Sequence, residues 1–429
     1  MKQALFVGFV ALACASGCLE EPQEIGELTA ADLDTSDYIW ITTGVDALPV
    51  VERALGHIEH AYEISATEGE IAVVRMRHTL VPTLSHAMHR EVQRCSGFVV
   101  HESPEAAQRV LAVDFDQVTQ KEALVGYIID NQSVAQPLID AITSERILDT
   151  ISVLSGFTNR FYTTSSGNDA ALWLHALWTD LANGRTDVTV EFFRHFGIPQ
   201  PSVVMTIQGT IWPDEIVVIG GHLDSISGPS PGEGTLAPGA DDNASGIATL
   251  TEVARVALAN GYRPARTVQF MGYAAEEVGL VGSARIAQSY VDQGVNVVGV
   301  LQLDMTNYNG SARDIYLIND YTNSTQNQFL GNLIDTYLGI QWGNTACGYA
   351  CSDHASWTNR GFIASFPTES RVGQHNPNIH TPADTVNNVG NNADHAAKFG
   401  RLASAYMAEI AEGTLDGSGN DPSTQPPAP

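Results

Sequence analysis

Basic residues are scarce in this chain. Lys and Arg number 21 against 49 Asp and Glu in 429 residues, a formal charge of −28. No basic cluster occurs anywhere, so nucleic acid and anionic membrane surfaces would repel the protein and are excluded as partners. Long apolar runs are missing too: no uncharged stretch approaches the ~20 residues that a membrane-spanning helix needs. Cysteine is rare, at five residues.

What is present suits a globular protein, with 44% hydrophobic and 16% charged residues. The length exceeds the usual size of one core and predicts at least two folded units plus tails. Lys2, the apolar run Ala4 to Ala13 and the small residues Ala15-Ser16-Gly17-Cys18 read as a secretory signal over residues 1–18. Ser16-Gly17-Cys18 also resembles the end of a bacterial lipoprotein box, with Ala15 where Leu is usual. Two destinations therefore stand: plain secretion, or anchoring to the outer membrane through a lipidated Cys18.

Residues 19–131 are mixed and acidic, with a lone Cys95 and strand-like runs at Ile71 to Met76 and Phe98 to His101. His78, His86, His89 and His101 have no acidic or cysteine partners at ligand spacing and read as scattered surface histidines. The segment has the size and position of a small α+β pro-region.

From residue 132 the pattern changes. Helical periodicity covers Ser144 to Leu154 and Asp169 to Leu181, where Ala170, Trp173, Leu174, Leu177 and Trp178 recur at i, i+3, i+4 spacing. Strands are predicted at Val188–Phe192, Ser202–Gln208, Ile216–Ile219, Thr267–Tyr273 and Val297–Leu303. Helices fall between them at Ser245–Asn260 and Ser283–Gln293, and a last helix covers Ala393–Ile410. This alternation predicts an α/β fold over residues 132–413, with a mixed, mostly parallel central sheet and helices on both faces. Residues 414–429 are Gly/Pro/Ser-rich and read as a flexible tail.

Three of the strands end in titratable residues: His222 after the first, Glu276-Glu277 after the second and Asp304 after the third. Parallel strands point their C-terminal ends the same way, so these side chains are expected to converge on one sheet edge. Crowded carboxylates repel unless a cation neutralises them, and His plus carboxylate without sulfur suits zinc. Asp242, in a glycine-flanked loop ahead of a helix, is the natural bridge between two ions. His380 supplies the second imidazole from a late loop, with His354 and His375 as competitors.

These residues lie in the stretches SGFTNRFYTTSSG, GGHLDS, APGADDNASG, YAAEEVGLVGS, LQLDMTNYNGSA, CGYACSDHASW and NIHTPADT. Over roughly Ile147 to Met407 the chain strongly resembles the secreted bacterial leucyl aminopeptidases of the co-catalytic dizinc exopeptidase family. The resemblance implies that His222, Asp242, Glu277, Asp304 and His380 hold two zinc ions, with Asp242 bridging. It implies that Glu276 is the general base for a metal-bridging water. It also implies that Asp224 orients the His222 imidazole, and that the Asp242-Asn243 peptide bond is cis. Asp241 receives no role.

Cys347 and Cys351 could form half of a zinc ribbon, but no second cysteine pair exists after signal removal; a disulfide suits an exported protein better. By resemblance it fixes Tyr349 where the phenol supports the tetrahedral intermediate. Cys95 is left over as a free thiol. The family's pocket for the N-terminal side chain maps onto Met305, Phe366, Thr368, Val372, His375 and Ile379, of which two are smaller and one polar compared with aromatic relatives. The implied protein is a monomeric, secreted zinc aminopeptidase, made as a precursor, that removes apolar residues from peptide and protein N-termini. A glutaminyl cyclase-like transferase and a catalytically silent peptide-binding relative share the fold. The full set of five ligands beside Glu276 argues against both.

Overall fold

The computed structural model describes residues 38–416, apart from 93, 113–120, 122 and 230. The expected leader, Cys18 and residues 417–429 lie outside the described residues. From Tyr38 onward the chain forms one compact unit, and no helix among its described residues is long and apolar enough to cross a membrane.

The N-terminal part builds an antiparallel sheet from β1 (Tyr38–Gly44), β2 (Tyr62–Glu68), β3 (Ile71–Arg77) and β4 (Phe98–His101), in the order β2-β3-β1-β4. Helix α1 (Val81–Val92) crosses between β3 and β4.

The central sheet comprises β5 (Val188–Phe193), β6 (Ser202–Ile207), β7 (Trp212–His222), β8 (Arg266–Tyr273), β9 (Asn296–Gln302) and β10 (Ala364–Ser365). Its order is β10-β9-β7-β8-β6-β5. The pairs from β10 to β8 are parallel, and β8-β6 and β6-β5 are antiparallel. This is the expected mixed, mostly parallel sheet.

Side chains alternate across a strand, and β7 shows the result. Val217 and Ile219 enter the large core, built with α2 (Ser144–Leu154), α3 (Ser165–Ala182), α4 (Ala244–Ala259) and α6 (Asp394–Ala411), while Val218 faces the opposite layer. That second layer is formed by Ile286 and Ala287 of α5 (Val281–Gln293) together with Trp357. Each fully buried aliphatic side chain contributes roughly 1.5–3 kcal/mol. Strands buried on both faces therefore read as continuous apolar runs, which is why their positions were legible.

Helix α4 begins where the chain must pass close to β9. Asn243 caps it, accepting the Gly246 N–H at 2.9 Å. A Cβ at Gly246 would lie 2.3 Å from the Leu303 carbonyl oxygen, so only glycine fits. Thr414–Leu415, expected in the flexible tail, instead pair antiparallel with Tyr262–Arg263.

The N-terminal sheet shares a core with the rest of the unit: Leu84, Met88 and Phe98 pack in one cluster with Phe161, Ile226, Ala275 and Val278. Polar contacts accompany it. The Val100 N–H donates to Gly279 O at 2.9 Å, Ser85 Oγ donates to Glu277 O at 2.7 Å, and Arg285 pairs with Glu102 at 2.6 Å.

Candidate metal centre and active site

Register places the strand ends together. His222 at the end of β7 pairs with Tyr273 at the end of β8, and Gly220 pairs with Gln302 at the end of β9. The chain continuing from β8 then supplies Glu276 and Glu277, and that from β9 supplies Asp304. Asp242 stands just ahead of α4, and His380 comes from a late loop in the left-handed conformation, at φ 57°. All six side chains are buried.

Asp242 divides its two oxygens. Oδ1 lies 3.1 Å from His222 Nε2, which is also 3.3 Å from Asp304 Oδ1. Oδ2 lies 3.1 Å from His380 Nε2, which is 2.8 Å from Glu277 Oε2. Two donor groups thus share one carboxylate. Apart from these contacts with one another, Asp242 Oδ2, both Glu277 oxygens, Asp304 Oδ1 and His380 Nε2 are buried without hydrogen-bond partners. Oxygen and nitrogen donors left bare in this way fit a pair of divalent cations.

The electrostatics agree with that fit. Burial disfavours a charged His222, yet the charges of Asp304 and Glu276 raise its pKa well above the usual imidazole value. Glu277 does the same for His380 against the same burial cost. Burial, reinforced by the charge of Asp242, pushes Glu277 up to about 7, and burial lifts Glu276 well above the carboxylate range. Burial works against ionised Asp242 as well, but the two imidazoles hold its pKa below normal. Protons here balance charge that divalent ions would balance on binding.

Glu276, whose charge acts on His222, has both carboxylate oxygens unpartnered and buried. Asp224 lies 3.6 Å from His222 Nδ1, while the closer contact of that nitrogen is the Asp224 carbonyl at 3.2 Å. The Asp224 carboxylate accepts the Glu276 and Glu277 N–H groups at 2.9 and 3.1 Å. It therefore joins two motifs rather than orienting the imidazole alone. The Asp242-Asn243 peptide bond is cis.

Cys347 and Cys351 are disulfide-bonded. Tyr349 between them is buried, and its hydroxyl oxygen accepts the Cys95 N–H at 2.9 Å. Phe366 packs beside Tyr349, Cys351 and Ile318. Met305, Ile379 and Thr368 are buried, whereas Val372 is exposed. His354 faces the Asp320 carbonyl at 3.3 Å and burial pushes its pKa down to about 3, so it packs away from the ligand groups.

Several participants escaped the sequence reading. Asp384 accepts the N–H groups of Asp241 and Asp242, at 3.2 and 3.0 Å, and Asn376 Nδ2 at 3.0 Å. Glu369 accepts the Tyr308 N–H at 2.6 Å, and Asp241 Oδ1 accepts the Asn307 N–H at 3.1 Å. Burial raises Asp241 to about 6 and Asp384 to about 8. Ser352 Oγ donates to Asp304 Oδ2 at 2.6 Å. Arg160, fully buried, donates to the carbonyls of Leu154, Leu223, Pro238 and Gly239 and so ties the end of α2, the chain just after β7 and the loop ahead of α4 together. Asp384 and Arg160 both lie within the motif stretches, but nothing in their spacing marks a role.

Of the four N-terminal histidines, His78 is exposed as expected, whereas His89 and His101 depart from the surface reading. His89 is not a surface residue: its ring centroid lies 4.3 Å from that of His380. His101 is buried and bonds Thr42 Oγ1 at 2.9 Å. Cys95 is a free thiol, as expected, and its sulfur lies within 4.8 Å of ligand atoms of Asp242 and His380.

Residues 202–407 match the model of Peptidase family M28. A probable leucine aminopeptidase of Trichophyton verrucosum is 35% identical over 294 residues, covering 67% of this chain and 79% of its own. The solved LapA aminopeptidase of Legionella pneumophila superposes with TM-score 0.73 at 29% identity, covering 88% of this chain and 99% of its own. LapB of the same organism gives TM-score 0.73 at 28% identity, over 87% and 100%. Coverage of that extent needs more than residues 132–413, so part of the N-terminal segment has counterparts in both solved chains. The resemblance is thus not confined to bacterial proteins, and the chain belongs to peptidase family M28, as a hydrolase of the aminopeptidase type.

Proposed function

We propose that the protein is a dizinc aminopeptidase that releases apolar N-terminal residues, leucine among them, from peptides. The observation carrying this reading is the division of Asp242 between two donor groups, His222 with Asp304 and His380 with Glu277. Zinc ions held there would polarise the scissile carbonyl and make water acidic enough to serve as a nucleophile near neutral pH. Glu276, raised in pKa and free of other partners, takes a proton from the attacking water and returns it to the leaving amine. Tyr349 donates its hydroxyl to the developing oxyanion once the Cys95 backbone has left the space beside the phenol. Glu277 and Glu276 divide ligand and base roles between adjacent positions.

The leucine preference is supported by the names of the similar proteins and by the buried apolar side chains Met305, Phe366 and Ile379. The N-terminal segment through about residue 131 acts as a pro-region, and the chain is exported and works as a monomer. Contacts of that segment with Tyr349, Glu277 and His380 support the inhibitory part of this reading. The test is Glu276→Ala, assayed on leucine amide alongside metal analysis. Turnover is expected to fall about 10²–10⁴-fold with two zinc ions retained per chain; undiminished turnover would refute the base assignment. A zinc content near one, or cyclisation of N-terminal glutamine in place of amino-acid release, would refute the dizinc peptidase reading itself.

A further inference from the structure

Cys95 sits where a metal ligand would sit. Its sulfur, an Asp242 carboxylate oxygen and a His380 ring nitrogen all lie within 4.8 Å of one another. These neighbours are polar: Asp242 Oδ2 and His380 Nε2 are buried and, apart from contacts among the ligand groups themselves, lack hydrogen-bond partners, so the thiol is not filling an apolar gap as a structural cysteine does.

The loop presenting it is fixed. Arg94 makes two bonds to the Asp46 carboxylate, at 3.2 and 2.5 Å, and its guanidinium lies 4.9 Å from the Tyr349 ring centroid. Ser96 and Gly97 take positive φ values of 53° and 79°, which turn the chain immediately after Cys95. Thr43 Oγ1 then holds Gly97 O at 2.8 Å, and the Cys95 N–H is spent on Tyr349 Oη. The thiol is aimed by its surroundings, from a segment 147 positions ahead of Asp242 in sequence.

Resting on the two-zinc reading above, we propose that the Cys95 thiolate is the fourth protein ligand of the ion held by Asp242, Glu277 and His380 in the uncleaved chain. The thiol loses its proton to solvent and its sulfur lone pair forms the bond to zinc; nothing is oxidised or reduced. Three protein ligands leave a zinc ion with an open position for water and substrate, whereas four protein ligands close it in the manner of a structural site. Thiolate sulfur is a favoured zinc donor. The segment therefore inhibits by two means at once: Cys95 sulfur takes the open position, and the Cys95 backbone stands against the phenol, its N–H donating to Tyr349 Oη, in the space an oxyanion would need.

Cobalt substitution of the full chain tests this without an activity assay. Co²⁺ bound to thiolate gives a near-ultraviolet charge-transfer band that nitrogen and oxygen ligands do not. The band is expected in the full chain, absent in Cys95→Ser, and lost when protease removes the N-terminal segment. Two cobalt ions bound without the band, or a band that survives in Cys95→Ser, would overturn the proposal while leaving the two-ion reading intact. Failure of the chain to take up cobalt or zinc at all would sink both. Should Cys95→Ser not fold, alkylation of the unaltered protein decides instead. Peptide mapping is expected to show Cys95 protected with zinc bound and modified after chelation, and equal labelling in both states would overturn the assignment.

Discussion

Asp224 Oδ1 accepts the backbone N–H of Glu276 at 2.9 Å. The other oxygen takes the Glu277 N–H at 3.1 Å, so one buried carboxylate sets the positions of the proposed base and of its neighbouring ligand. Truncating it to Ala leaves two buried N–H groups unpaired, each bond to a charged acceptor contributing about 1.5–3 kcal/mol. Asp224→Ala is therefore expected to lower the melting temperature and to weaken zinc binding about 10–100-fold, read by chelator competition. Asn keeps one acceptor and should fall between. Unchanged zinc affinity in the Ala variant would show that the clamp does not support the site.

The Cys347–Cys351 bridge closes a short loop around Tyr349. Chain-entropy arguments give such a loop only about 2 kcal/mol of stabilisation. Its larger effect is local, because it carries the phenol. Replacing both cysteines with Ser should move the melting temperature modestly but cut kcat, and Tyr349→Phe should cut kcat about 10²-fold with the melting temperature nearly unchanged. A double-Ser variant with full kcat would mean that packing against Phe366 alone holds the tyrosine.

Gly279 sits on the seam between β4 and the loop carrying Glu276. Its φ is 105°, and a Cβ there would lie 2.5 Å from Val100 Cγ2. Gly279→Ala combines backbone strain with a steric push, at a cost of about 1–3 kcal/mol. It should make residues 38–112 more susceptible to limited proteolysis without altering zinc content. Identical digestion rates would argue that the seam is not what holds the segment.

His101 carries a pH dependence with a defined sign. Burial, aided by the nearby charges of Arg360 and Arg109, pushes its pKa down to about 3, against ~6.5 in an unfolded chain. Between those values the unfolded state binds a proton that the folded state does not. Stability is full above about pH 6.5 and declines toward pH 3, by at most ~1.4 kcal/mol per unit. His101→Gln keeps a donor toward Thr42 and removes the titration. The difference in urea midpoint between pH 7 and pH 5 should shrink in the variant. An unchanged difference would assign the acid sensitivity to other groups.

The sheet was legible because its parallel strands are apolar on both faces and stop at titratable residues. Ile216–Ile219 and Thr267–Tyr273 fall within observed strands, Val297–Leu303 overruns its strand by one residue, and Ser144–Leu154 matches its helix end to end. The N-terminal sheet was harder to see. Strand β2 is largely exposed and shows no clean alternation, and α1 carries Pro82 and two histidines among its apolar positions. The placement of Asp384 against the N–H groups of Asp241 and Asp242, and the approach of Cys95 and His89 to His380, depend on contacts across more than a hundred residues. No local spacing encodes them.

The core across the seam, with Leu84, Met88 and Phe98 against Phe161, Ile226 and Val278, bears on how such a chain would be switched on. A single cut between Leu111 and Gln132 changes connectivity and leaves every one of these contacts in place. What the cut removes is the tether's effective concentration. The severed piece would stay seated as a bound inhibitor with its own dissociation rate. Activation would then show a lag set by release or digestion of that piece, and its length would depend on dilution rather than on how fast the peptide bond was cut.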